Sequence, residues 1–93
     1  MEIRHNAPLS RFEAGSAPEL AVCEYRRDGT AWILPHTYVP EPMRGGGVAG
    51  ALVKAALDHI LTEGGTVVPA CSYVAAYIQR HPAYASLIKP GSR

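Results

Sequence analysis

The chain has 93 residues, enough for one hydrophobic core but too few for a cofactor domain and a separate substrate domain, so a single small domain over residues 1–93 is expected. An apolar fraction of 47%, a charged fraction of 18% and a formal charge of +1 describe a soluble globular protein and predict no broad attraction to nucleic acid or to an acidic membrane. No apolar run approaches the roughly 20 residues that cross a bilayer, and residues 1–5 lead into polar positions rather than a signal-peptide core, which makes a cytoplasmic protein the expectation.

Residues 2–5 are read as a short first strand, and residues 6–18, with their Pro, Gly and Ser, as a loop or broken turn. Residues 19–27 then alternate, with Ala21, Cys23 and Tyr25 on one face and Leu20, Val22 and Glu24 on the other, as a strand's period of two demands. Asp28-Gly29 suits a two-residue hairpin turn, because such turns need positive φ, and residues 30–39 supply a second run of β-formers. That turn sets Arg27 opposite Thr30, Tyr25 opposite Trp32 and Cys23 opposite Leu34, on a face expected to be buried and to hold His36 as a core histidine. Pro35 cannot donate to a ladder, so a bulge or an unpaired edge is expected there, with a bend near His36.

Beyond Pro40-Glu41-Pro42 and three glycines, Val48, Leu52, Ala56 and Ile60 recur every fourth residue, joined by Ala49, Val53 and Leu57, which predicts a helix over residues 48–62. Gly64-Gly65 ends it through a left-handed cap, and residues 66–70 read as a short buried strand. The order strand, glycine loop, helix, strand predicts that Val39 and Val67 lie on neighbouring parallel strands with the helix packed across them. Ser72 is expected to cap a second helix over residues 73–80, closed by His81-Pro82, and Tyr84, Leu87 and Ile88 to pack back on the sheet. The fold class is therefore α/β (α+β), with a mixed sheet. Cys23 and Cys71 form no C-x-x-C pair and have no His-rich partner set, so free thiols and no metal site are expected.

The start of a helix presents unpaired backbone N–H groups and the positive end of its dipole, and glycines let a diphosphate approach without meeting a Cβ. Gly45, Gly46, Gly47, Val48 and Ala49 offer such a cradle, with Arg44 beside it as a candidate phosphate contact. No Gly-Lys-Ser/Thr closes the loop and the G-x-G-x-x-G order is missing, which sets aside the two common nucleotide-binding classes. What stands there is R-x-x-G-x-A, as Arg44, Gly47 and Ala49, between a strand and an amphipathic helix. This resembles the signature of the GNAT superfamily of acetyl-CoA-dependent N-acetyltransferases. The likeness extends to a compact branch through Asn6, Phe12-Glu13, Tyr25, His36-Thr37, Val39-Pro40, Pro69-Ala70-Cys71 and His81-Pro82-Ala83-Tyr84, nearly the whole chain. Two departures stand out. Full-size members have two helices between their first two strands and further strands after the last helix, for which this chain leaves no room; and a Glu often follows His-Thr in the compact branch, where this chain has Tyr38.

The resemblance implies a mostly antiparallel sheet containing a parallel strand-helix-strand unit, split so that the pantetheine arm of acetyl-CoA pairs with backbone near Tyr38 and Val39. It implies direct attack by an unidentified amine, with Tyr77 as the acid that protonates the departing thiolate; a tyrosine one turn from Tyr73 also suits core packing. Cys71, at the start of the second helix, is a candidate acyl-accepting nucleophile for a ping-pong route or a small buried hydrophobe, and Cys23 is core. His36, preferred as a core residue, is the alternative candidate base for the amine, and Glu41 and His81 are further candidates at loop positions. A non-catalytic coenzyme A sensor or subunit, and a redox-responsive thiol protein using Cys71, are the alternatives from other classes. A small open site also invites assembly into a homo-oligomer.

Overall fold

The computed structural model describes residues 2–88; residue 1 and residues 89–93 of the expected domain lie outside it. Five strands form one sheet in chain order. The expected first strand, β1, spans Ile3–Asn6 and runs into a 3₁₀ turn at Ala7–Leu9, where the Asn6 side chain accepts a hydrogen bond from the Leu9 N–H at 3.2 Å.

Where a loop is expected, Arg11–Ser16 forms strand β2, antiparallel to β1 on one side and to β3 (Glu19–Asp28) on the other. Phe12 is the one strong β-former in it, so local propensity is weak; two paired edges and a buried Phe12 and Ala14 supply what propensity does not. Glu13 points to the opposite face and is 7% exposed. Its carboxylate accepts from Arg11 Nε at 2.6 Å and Asn6 Nδ2 at 2.8 Å, with Arg4 Nη2 at 3.7 Å, which offsets the cost of burying the charge.

Strand β4 (Ala31–Tyr38) closes the expected hairpin, but in a different register. Gly29 (φ 62°) and Thr30 form the turn and Asp28 pairs with Ala31, because the glycine takes the first loop position rather than the second. Arg27 therefore faces Trp32, its guanidinium 3.9 Å above the indole, and Tyr25 meets Trp32 diagonally at 4.7 Å between ring centroids. Pairing jumps from Arg26–Ile33 to Glu24–His36, so Leu34 and Pro35 together oppose the single Tyr25. The expected bulge lies there, and the extra residue inverts the alternation after it. Thr37 joins the face of Cys23, whereas His36 turns to the opposite face and is exposed. The reading of His36 as a core histidine is thereby corrected.

Helix α1 (Val48–Glu63) buries Val48, Leu52, Val53, Ala56, Leu57 and Ile60 against the face of Phe12, Cys23 and Trp32. Burying one such large aliphatic chain stabilises the fold by about 1.5–3 kcal/mol. The helix ends at Gly64 (φ 73°), whose N–H reaches the carbonyls of Ile60 and Leu61. Strand β5 (Thr66–Val68) follows and pairs with β4 in parallel, Trp32 beside Val67, as the strand-helix-strand order requires. Helix α2 (Ser72–Arg80) begins one residue early: Cys71 holds the N-cap position with no side-chain cap bond, and Ser72 is already helical rather than capping. A 3₁₀ segment at Pro82–Leu87 returns Tyr84 and Leu87 to the core. The result is a mixed α/β fold, mostly antiparallel with one parallel pair. Both helices share one side of the sheet, and the other side carries Arg4, Arg11, Glu24, His36 and Tyr38, with Glu13 and Val22 buried among them.

Candidate functional site

The glycine loop enters α1 with Gly45 at φ 86° and Gly47 at φ 79°, the latter being the N-cap. Side chains rarely adopt that backbone, which is the reason for glycine there. No side chain caps the helix and no acidic residue occupies its first turn, so the N–H groups of Val48, Ala49 and Gly50 lack an intrahelical acceptor. A Cβ built on Gly45 or Gly47 meets nothing within 4 Å, and one on Gly46 meets only the Met43 carbonyl at 3.8 Å. The loop is therefore open toward an anion, and this geometry suits a pyrophosphate. Arg44 Nε donates to the Val39 carbonyl at 2.8 Å, which ties the loop to the end of β4 and leaves the terminal guanidinium nitrogens exposed.

Beside the loop, β4 changes partners. Ala31, Trp32 and Ile33 are laddered to β5, and the Cys71 N–H still reaches the Leu34 carbonyl at 2.9 Å. From His36 to Tyr38 the strand pairs with β3 alone. Parallel neighbours that part at a bulge leave one backbone edge free, the kind of edge to which an extended ligand adds. The Tyr38 side chain is 45% exposed on the open face next to His36, and Val39 is half-buried.

Helix α2 lines the other bank. Cys71 Sγ lies 3.9 Å from Thr37 Oγ1, which is itself 3.9 Å from Cys23 Sγ. Burial pushes the Cys23 thiol up to about 11, so it is protonated at neutral pH and packs as core. Tyr73 and Tyr77 face the first turn of α1: a Cβ on Gly50 would lie 3.5 Å from Tyr73 Oη and 3.7 Å from Tyr77 Cε2. Burial raises the Tyr77 phenol above its ordinary range, keeping it in the protonated form that an acid needs. His81 stacks on the Tyr77 ring at 4.0 Å and 16°.

The structure thus brings Arg44, the glycines, Val48 and Ala49 to the end of β4, and sets Tyr77 beside the start of the same helix. Cys71 stands at the α2 N-cap next to Thr37. It does not gather the side chains of Tyr38 and His36 with them, since both point to the opposite side of the sheet. The sequence names Thr37 only within the His36-Thr37 motif and His81 as a candidate base, without the Cys71–Thr37 contact or the stacking on Tyr77, although the Tyr77–His81 spacing of one helical turn is visible. A concavity of about 620 Å³ lies on the other flank of α2, lined by Pro69, Ala75, Gln79, Pro82 and Ile88 among others; no residue of the glycine loop or β4 borders it. Among the described residues no cluster of three His, Cys, Asp or Glu side chains forms a metal site, and no helix is long and apolar enough to cross a membrane.

The family model for GCN5-related N-acetyltransferases matches residues 11–87. Protein NATD1 of Xenopus tropicalis is 39% identical over 85 residues, covering 88% of this chain and 78% of that protein. Protein NATD1 of Gallus gallus is 30% identical over 98 residues, covering 84% and 89%. The solution structure of a GCN5-like protein from Staphylococcus aureus superposes with a TM-score of 0.76 over 95% of this chain and 87% of that one; at 24% identity the likeness speaks to the fold.

Proposed function

The chain belongs to the GCN5-related N-acetyltransferase family, and on that premise we propose that it binds acetyl-coenzyme A at the glycine loop and transfers the acetyl group to an amine. The observation that carries this reading is the juxtaposition of an uncapped helix start, reached through glycines with free space around them, and the unpaired second half of β4. Acetyl-coenzyme A supplies an activated acyl group as its thioester.

The backbone N–H groups at the start of α1 and the free guanidinium nitrogens of Arg44 would hold the pyrophosphate. The free edge of β4 near Tyr38 and Val39 would align the pantetheine arm and so place the thioester between the two banks, where holding it beside an amine supplies the entropic advantage. Tyr77, protonated and next to the first turn of α1, is then the group that donates a proton to the leaving sulfur. Cys71 is the second candidate, acting through a covalent acyl-enzyme. The acceptor amine is left unspecified, and a neighbouring copy would complete its binding wall.

Calorimetric titration of acetyl-coenzyme A followed by an amine screen tests the reading. Tyr77→Phe is expected to lower kcat by about 10²-fold with binding intact, and Cys71→Ala to retain turnover if attack is direct. A folded protein with no affinity for acetyl-coenzyme A would overturn the assignment.

A further inference from the structure

The His81-Pro82-Ala83-Tyr84 segment has no part in the cofactor cradle, yet its side-chain hydrogen bonds run to Tyr77 and to Asp58 of α1. His81 Nδ1 lies 2.8 Å from the Tyr77 carbonyl oxygen. That oxygen can only accept, so Nδ1 carries the proton and Nε2 is the ring's other, free position. The same imidazole lies flat on the Tyr77 phenol, centroids 4.0 Å apart. Tyr84 N–H donates to the His81 carbonyl at 3.0 Å, and the Tyr84 hydroxyl donates to Asp58 of α1 at 2.6 Å. Asp58 in turn holds Lys54 at 2.8 Å. Tyr84 and Tyr73 approach the remaining sides of the Tyr77 ring at 6.2 and 6.5 Å.

We propose that His81 is a positioning residue for Tyr77: stacked on the ring and bonded to its carbonyl, it holds the phenol against the first turn of α1, with Tyr84 and Asp58 anchoring the clamp to that helix. The proposal rests on the reading of Tyr77 as the proton donor. A fixed ring matters because the phenol O–H bond must break as the S–H bond of free coenzyme A forms, after which the phenolate recovers a proton from solvent. An imidazolium lying on the ring face would favour that phenolate electrostatically. Among the described residues, the charged and titratable groups facing Tyr77 are Tyr73 from the first turn of α2, His81 at its C-cap, Tyr84 from the 3₁₀ segment, and Lys54 and Asp58 from α1.

The test is ¹³Cζ-tyrosine NMR of the ligand-free protein across a pH titration, with Tyr77 assigned through Tyr77→Phe, alongside kcat and KM in His81→Ala and His81→Phe. His81 is exposed, so both variants are expected to fold, which their melting curves check. The clamp predicts a step in the Tyr77 resonance that tracks the His81 ring's own titration and vanishes in both variants. It also predicts kcat about 10-fold lower in His81→Ala with KM for acetyl-coenzyme A within about 2-fold, partly rescued in His81→Phe, which keeps the stacked ring. A Tyr77 resonance that stays flat while His81 titrates would overturn the proposal. Full turnover in Tyr77→Phe would remove the proton-donor reading on which the proposal rests, and the resonance would separately report whether the His81 ring lies against Tyr77.

Discussion

Strand β4 does two jobs along eight residues. Its first half, residues 31–33 with Trp32 at 2% exposure, is paired on both edges and packed under α1. Its second half has lost the β5 partner, shows His36 and Tyr38 to solvent, and borders the glycine loop through the Arg44–Val39 bond. The bulge at Leu34 and Pro35 separates the two. One strand can therefore stabilise the fold and present a free backbone edge, provided an extra residue interrupts its alternation. Stability should map to the first half and ligand binding to the second.

The sharpest way to break that division is to truncate each half in turn. Trp32→Ala should cost about 3–5 kcal/mol, read as a lower midpoint in urea unfolding, since the indole fills the centre of the core. Glu13, which anchors β2 rather than β4, should show a smaller and pH-dependent effect. Hydrogen bonds from Arg11 and Asn6 hold its carboxyl below the ordinary carboxylate range. Its contribution is complete above the unfolded pKa, about 4.3, and is lost as pH falls through the lower folded value. Glu13→Gln should therefore destabilise the protein at neutral pH and converge with wild type in strong acid, by pH-dependent melting. His36→Ala should shift stability by no more than about 0.5 kcal/mol; a loss comparable to that of Trp32→Ala would mean that the second half is core after all.

The glycine loop, its helix, the parallel return strand and the hairpin were legible because each rests on local periodicity and on residues such as Gly64 whose backbone role is specific. Strand β2 was not, because Arg11–Ser16 becomes a strand only through its neighbours, and the partners that satisfy Glu13 include Arg4 and Asn6 of another strand. Pro35 marked the bulge, but which face His36 takes depends on a count of opposed residues that only the three-dimensional register supplies. The placement of Cys71 rather than Ser72 at the α2 N-cap differs by one residue, the scale at which helix boundaries depend on tertiary contacts such as the Cys71–Leu34 bond. For the site, the cradle reading rests on helix-end chemistry and the family resemblance, whereas the stacking of His81 on Tyr77 requires side-chain geometry.

The most direct test of the central claim is acetyl-coenzyme A binding to wild type and to Gly46→Trp. Gly46 does not have a positive φ and its built Cβ meets only the Met43 carbonyl at 3.8 Å, so a tryptophan there adds bulk to the glycine loop without backbone strain. The account predicts an unchanged melting temperature and a loss of affinity on the order of 100-fold or more, about 2.7 kcal/mol. Wild-type affinity in the folded variant would contradict it and move the cofactor away from the start of α1.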